Sequence, residues 1–321
     1  MEYQYKLATH AQMKRLYGHR LPCPSCGRKQ SFVVYVDGDG EPINTNVGKC
    51  DHINKCGYHY RPSEYRRDHP DEYKRRGLDE APRYVPPIKR LPSYIDEAIV
   101  NKTLTHYEGN TLATWLRSFI PDDVVMDLMA MYKVGTARDG SVIYWQHDKA
   151  GKCRSGKVML YDIATGHRRK DHHPGWAHSK LHLEDFNLEQ CLFGLHLVPR
   201  RTDVPVCVFE SEKTAMLGAI YINDYMPCVC VATGGAGNLT RERMLPLHGR
   251  DIVLWPDNGQ FETWYDKADE MAGMFNSVRV IDIMEQYPFH EVEGDDIGDW
   301  IAENHSNTST LFMATTWVDV R

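Results

Sequence analysis

The sequence predicts an α+β protein in three parts. These are a small β module at the start, a mixed helical and β middle, and a C-terminal α/β domain built on a parallel sheet. Three observations carry that prediction. Four of the nine cysteines fall within the first 62 residues. The middle mixes helix-capping signals with strand-like runs. Beyond residue 204, short runs that are apolar throughout alternate with helical stretches, the pattern of strands covered on both faces. The 321 residues suggest two domains at about 150 residues each.

Taken in order, residues 1–62 form the β module, with SFVVYV as its clearest strand. Residues 63–92 are charged and dotted with proline, which predicts one short helix followed by an extended linker. Pro82, Pro86, Pro87 and Pro92 exclude a regular element from the second half of that stretch, because proline lacks an N–H and restricts the residue before it. Residues 93–203 open with helices. Ser93 and Asn110 are candidate N-caps, and Pro121 starts PDDVVMDLMAMYKV at a first-turn position. Val124, Leu128 and Met131 form the helical stripe expected to face the core. SVIYWQH and KVMLYDI then read as strands joined at KAGK. In residues 204–321, VPVCVF, PCVCVA, DIVLW and SVRVIDI are the expected parallel strands. EKTAMLGAIYIN, LTRERMLPL and FETWYDKADEMAGMF are the helices between them.

The net charge of -6 conceals an asymmetry: residues 1–203 carry 31 Lys+Arg against 25 Asp+Glu, while residues 204–321 carry 7 against 19. A basic first part joined to an acidic last part suits a polyanion track leading to a cation-holding site, although uneven surface charge alone gives the same count. No run approaches the about 18 apolar residues of a membrane span, and the start lacks the apolar stretch of a signal peptide. An odd number of cysteines in a chain this long argues against a disulfide framework. The expectation is a soluble, cytoplasmic protein with no membrane partner.

Cys23-Pro-Ser-Cys26-Gly and Cys50-(x5)-Cys56-Gly are the strongest local signal. Zinc takes four thiolates in a tetrahedron, and two short knuckles joined by a hairpin supply them. Residues 31–47 read as that hairpin, with Asp37-Gly38-Asp39-Gly40 at its turn. His52 and His59 lie close enough in sequence to replace one thiolate. A redox CxxC or unrelated buried thiols are the competing readings; the first lacks a strand-to-helix setting. In so small a module the metal would largely hold the fold together.

Ligands of open α/β sheets bind beyond the carboxyl ends of the strands. There the sequence offers Glu210 after the first strand, the loop Thr233-Gly-Gly-Ala-Gly237 after the second and Asp257 after the third. Asp295, Asp296 and Asp299 follow the fourth at some distance. Acids converging on one rim call for a hard divalent cation, Mg²⁺ or Mn²⁺; taken singly, each acid also suits a helix N-cap. Gly235 and Gly237 let backbone approach a phosphate. As a dinucleotide fingerprint the loop fails, since Thr240 stands where a third small residue belongs. Ser211, outside any GxSxG setting, reads as a turn or cap residue.

These motifs together resemble a DNA primase-like protein with an N-terminal zinc ribbon and a C-terminal TOPRIM domain, of the type found in Bacteroidetes genomes and mobile elements. CPSCGRKQSFV and GKCDHINKCGYHY are similar to the two halves of the primase zinc motif. VCVFESEKTA is similar to the TOPRIM glutamate strand, VLWPDNG to its DxD strand, and GDDIGDW to the closing acidic segment. The resemblance implies Glu210, Asp257 and Asp296 as magnesium ligands, with Asp299 completing the catalytic set, and it implies that metal-held phosphates undergo nucleotidyl transfer without a protein nucleophile. One position departs: Gly259 stands where the family has the second Asp of DxD. Asp296 and Asp299 are the candidates to compensate.

Positive charge gathers upstream of these acids at Arg154, Lys157, Arg168 and Lys170, with Lys213 beside Glu210; these are the nucleotide-binding candidates. A solvated charged hairpin would look the same. The histidines at 167, 172, 173, 178 and 182 are irregularly spaced and read as loop residues. Near the cysteines, Arg28, Lys29 and Arg61 are interleaved with Phe32, Tyr35, Tyr58, Tyr60 and Tyr65, a mixture that suits single-stranded DNA, with about half of the rings needed to pack the module. The expected function is primer synthesis on a single-stranded DNA template from nucleoside triphosphates, in replication of a chromosome, plasmid or mobile element, with a replicative helicase as a separate polypeptide. A metal-dependent TOPRIM nuclease and a non-catalytic DNA-binding protein are the alternatives.

Overall fold

The computed structural model describes residues 5–52, 56–75, 90–286, 296–307 and 317–320. The chain divides into two compact units, Met1–Lys89 and Arg90–Arg321. Among the described residues, no helix is long and apolar enough to cross a membrane. Asp295, Pro82, Pro86 and Pro87 lie outside the described residues.

The first unit is a four-stranded antiparallel sheet in the order β1 (Lys6–Leu7), β2 (Phe32–Val36), β3 (Gly48–Cys50), β4 (His59–Tyr60). Helix α1 (His10–Tyr17) starts at a Thr9/Gln12 capping box and stops at Gly18, whose left-handed φ of 76° closes the helix. Ala8, Met13, Phe32, Val34 and Val36 pack on Cys23 and Cys50. Gly48 is required by its neighbour strand: a Cβ there would stand 2.2 Å from the Val33 carbonyl oxygen. The single helix expected after residue 62 is instead two, α2 (Pro62–Asp68) and α3 (Pro70–Arg75). Pro70 explains the break. It disfavours helical geometry at His69, which sits at φ −132° and ψ 57°.

The second unit begins with helices α4 (Glu97–Asn101), α5 (Thr111–Leu116) and α6 (Asp122–Met131). Asn110 caps α5 as expected, accepting from Leu112 N and Ala113 N at 3.1 Å. Ser93 caps nothing; its hydroxyl accepts from Asn187 N, and Asp96 caps α4 through Ala98 N. The apolar stripe of α6 is also turned from the expected one. Val125, Leu128 and Met129 are buried, Val124 is half-buried and Met131 is 41% exposed. With Pro121 as cap, the i, i+3, i+4 set that meets the core starts one residue later. An antiparallel meander follows: β5 (Val134–Thr136), β6 (Val142–His147), β7 (Cys153–Met159) and β8 (Gly175–Trp176), then the short α7 (Ala177–Lys180).

The C-terminal sheet has the order β10-β9-β11-β12-β13, from β9 (Val206–Phe209), β10 (Val229–Ala232), β11 (Asp251–Trp255), β12 (Ser277–Ile281) and β13 (Trp317–Asp319). The first four are parallel, as the sequence predicts; β13 adds an antiparallel edge on β12. Helices α8 (Glu212–Tyr221), α9 (Arg241–Met244), α10 (Phe261–Met271) and α11 (Ile297–Asn304) cover it. Residues from Tyr107 to Ile301 share one hydrophobic core, so segments 93–203 and 204–321 pack as one body. Each large side chain fully buried in such a core contributes about 1.5–3 kcal/mol. Strand β9 connects to β10 on one side while its other neighbour, β11, connects to β12 on the other, which opens a crevice at the carboxyl ends of β9 and β11.

Candidate active site

Register decides what faces that crevice. Phe209 of β9 lies beside Trp255 of β11, so Glu210 and Asp257, just beyond, share one rim. Their carboxyl groups are close enough to act on each other. Burial pushes both upward, and the repulsion of Asp296 adds to it; Asp257 is raised well above the carboxylate range. Glu210 Oε2 is buried with no hydrogen-bond partner among the described residues. A buried carboxylate oxygen without a partner, beside a second carboxylate, is the arrangement a divalent cation would relieve. The donor set of Glu210 and Asp257 therefore fits Mg²⁺ or Mn²⁺.

Asp296 and Asp299 are placed nearby but occupied. Asp296 caps α11 by accepting from Asp299 N at 2.9 Å, and it also accepts the Thr214 hydroxyl at 2.5 Å and that of Ser211 at 3.4 Å. Asp299 completes the capping box and holds Lys213 Nζ at 2.5 Å. Burial works against the Lys213 ammonium, but Asp296 and Asp299 keep its pKa above the ordinary lysine value. Lys213, expected on a phosphate, is thus buried and paired inside the site. Ser211 is the N-cap of α8, as read from the sequence.

Lys157, partly buried, is likewise paired rather than free. From β7 it reaches Glu212 Oε2 at 2.9 Å and the Gly234 carbonyl oxygen at 3.1 Å. Glu212, 1% exposed, is the functional-site residue that sequence reasoning missed. Its one signal was an acid two residues after Glu210 in the first turn of a helix whose first seven residues are all buried. In the glycine loop, Gly234 has φ 80°, and a Cβ there would stand 3.0 Å from Glu212 Oε1. Gly235, at φ 148°, holds a backbone conformation that favours glycine, and around Gly237 there is open space. Arg243 and Lys267 hold the carbonyl oxygens of Thr233 and Ala236.

Gly259 has a left-handed φ of 78°, so the residue that departs from DxD also serves the turn. Its N–H donates to Glu285 Oε1 at 2.9 Å, which brings a carboxylate from beyond β12 to this turn. Arg154 is bonded to Asp148 at 2.9 Å and stacked over Tyr94 at 4.9 Å. Arg168 and Lys170 are exposed.

In the first unit the ligand atoms of Cys23, Cys26, Cys50 and Cys56 all lie within 4.8 Å of one another. Among the described residues this is the only such group of three or more His, Cys, Asp or Glu. Cys23 Sγ and Cys56 Sγ are 3.7 Å apart, close to the about 3.8 Å edge of a tetrahedron with 2.3 Å zinc–sulfur bonds. Gly27 and Gly57, at φ 68° and 64°, turn the chain after each knuckle. The His52 N–H points at Cys50 Sγ, whereas the His59 ring meets Tyr35 Oη at 2.9 Å, so neither ring is needed in the cluster. Phe32 and Tyr65 are buried, and Arg28, Lys29 and Arg61 are exposed.

Residues 3–71 match a zinc beta-ribbon finger family, and residues 110–258 match a domain of unknown function, DUF6371. Among curated proteins, none matches the chain. Three similar solved structures are primases. The RNA polymerase domain of Mycobacterium tuberculosis primase DnaG, in complex with DNA, is 13% identical with a TM-score of 0.41, covering 68% of this chain and 78% of that one. The primase fragment of the bacteriophage T7 primase-helicase protein is 14% identical with a TM-score of 0.39, covering 92% and 98%. The E. coli primase catalytic core is 12% identical with a TM-score of 0.43, covering 68% and 79%.

Proposed function

We propose that this chain is a DNA primase-like nucleotidyltransferase that makes short primers on single-stranded DNA from nucleoside triphosphates. One observation carries the reading: Glu210 and Asp257 sit close together at the crevice of a parallel sheet, with a buried carboxylate oxygen that has no partner among the described residues. In this reading Glu210 and Asp257 hold the divalent cation, with Asp296 adding negative charge behind them. The cation, when bound, supplies orientation and charge stabilisation for phosphates during attack by a primer 3′-hydroxyl.

The chain's own groups prepare that place. Thr214 and Ser211 fix Asp296, and Lys213 fixes Asp299, so the acids cannot swing apart. Lys157 neutralises Glu212 and anchors Gly234, which keeps the glycine loop against the acids for a phosphate to meet its backbone N–H groups. Exposed Arg168 and Lys170 attract the phosphates of nucleotide and primer. On the zinc ribbon, Arg28, Lys29 and Arg61 take the template backbone, which should make template affinity fall steeply with salt.

Primer synthesis on a single-stranded template with Mg²⁺ or Mn²⁺ tests the reading. Glu210→Gln should reduce product at least about a thousandfold while zinc content and DNA affinity stay as in the parent. Retained synthesis in that variant would remove Glu210 from the mechanism. Metal-dependent shortening of labelled DNA without nucleotides would replace synthesis by nuclease action. Binding with neither product would leave a DNA-binding protein.

A further inference from the structure

A cavity of about 400 Å³ opens in the second unit, between the end of α5, the 164–167 turn and α11. That is within the range of about 300–1,000 Å³ typical of small-molecule sites. One wall is aromatic. Trp115 and Phe119 meet edge to face at 5.0 Å, and Phe119 meets the His305 ring at 5.3 Å. The Trp115 ring is held from behind: a Cβ on Gly166 would stand 2.1 Å from it, and Lys213 Nζ lies 5.3 Å from its centre.

The polar rim carries more acceptors than donors, with the His167 ring standing beside its carboxylates. Asp299 and Glu303 line it. His305 Nδ1 stands 3.0 Å from the Ala302 carbonyl oxygen, which can only accept, so the ring donates from Nδ1 and its Nε2 is the atom left to face the cavity's occupant. Ser118 donates its hydroxyl to the Trp115 carbonyl oxygen at 2.6 Å, and Thr165 donates to Asp162 Oδ1 at 3.2 Å. Glu303 repels a phosphate here, while Asp299 has its charge matched by Lys213. A flat, uncharged ring with N–H donors on its edge fits both the wall and the rim. Asp299 also belongs to the acidic centre through Lys213 and Asp296, so the cavity adjoins the place proposed for phosphates.

We infer that this cavity is the subsite for the base of a nucleotide, and that it favours bases bearing an exocyclic amino group, cytosine among them, over uracil. The inference rests on the polymerase reading for the reason a nucleotide should be there, but its chemistry stands on the cavity alone.

Titration of the full chain with cytidine and with uridine, without metal, followed by saturation-transfer NMR and tryptophan fluorescence, tests it. Cytidine should bind saturably and at least about fivefold more tightly than uridine, the effect of one or two edge hydrogen bonds. His305→Ala and Phe119→Ala should each weaken cytidine about tenfold, as loss of a stacking face does. Glu303→Gln, which turns an acceptor into a group that also donates, should bring the two nucleosides towards equal affinity. Equal binding of both nucleosides by the parent, or parental affinities in His305→Ala and Glu303→Gln, would overturn the assignment. Phe119 packs against the core, whereas His305 and Glu303 are exposed, so those two variants decide even where Phe119→Ala fails to fold. Primer synthesis that persists while the variants bind like the parent sinks the subsite alone. Cytidine binding with the expected dependence, but no synthesis, keeps the subsite and sinks the polymerase reading.

Discussion

Lys157 and Glu212 set the electrostatic tone of the site at the level of single residues. Glu212 is fully buried and Lys157, partly buried, lies 2.9 Å from it, so removing the lysine strands a buried carboxylate. Lys157→Met should cost about 3–5 kcal/mol in urea unfolding, and the double variant Lys157→Met/Glu212→Gln less than the sum of the singles. An unchanged midpoint in Lys157→Met would contradict the pairing. His147 and His196 act in the opposite sense. Burial lowers each to about 4 from an ordinary 6.5, outweighing the contact of His147 with Glu97 at 3.1 Å. The folded protein resists their protonation while the unfolded chain accepts it. The stability they provide is therefore complete above about pH 6.5 and is lost as pH falls towards 4, on the order of 3 kcal/mol each. Urea midpoints at pH 7 and pH 5 should differ less in His196→Gln than in the parent; an equal or larger difference would count against this origin.

At the scale of elements, caps and prolines decide where helices begin, and contacts decide which way they face. Asn110 does two things at once. Its Oδ1 caps α5, and its Nδ2 donates to Gly135 O at 3.2 Å and Thr136 Oγ1 at 3.0 Å, which pins the helix to β5. Asn110→Ala should cost about 2–3 kcal/mol, a lost cap together with stranded buried acceptors. Asn110→Asp, which keeps only the cap, should recover part of that in a thermal melt. The cap was legible because Asn before an apolar-periodic stretch has few other uses. The partner strand was not, because nothing local links residue 110 to residue 135. The same reason hides β13, three residues that become a strand only because β12 offers an open edge. The turned stripe of α6 belongs here too: periodicity gives the spacing of buried residues, and the helix start fixes their phase.

For the whole molecule, the division at Lys89 and Arg90 separates two sources of stability. The second unit has the large shared core, whereas the first has a few apolar residues around four thiolates. Metal removal should consequently act on one unit. A chelator, or Cys50→Ser, should release one equivalent of zinc and abolish amide-exchange protection in residues 5–75, while protection in residues 90–286 persists. Uniform loss across the chain would mean that the thiolate cluster supports more than its own module. Local chemistry was enough, read from the sequence alone, for the cysteine quartet, the four parallel strands and the rim position of Glu210 and Asp257, since each follows from spacing or from a strand's end. Tertiary structure alone decided that Lys157 and Lys213 spend their charge on Glu212 and Asp299, that Glu285 reaches the turn at Gly259, and that Trp115, Phe119 and His305 enclose a cavity. Those pairings join residues 26 to 190 positions apart. Their partners are chosen by which surfaces the folded core brings into contact, and a linear pattern holds no record of that choice.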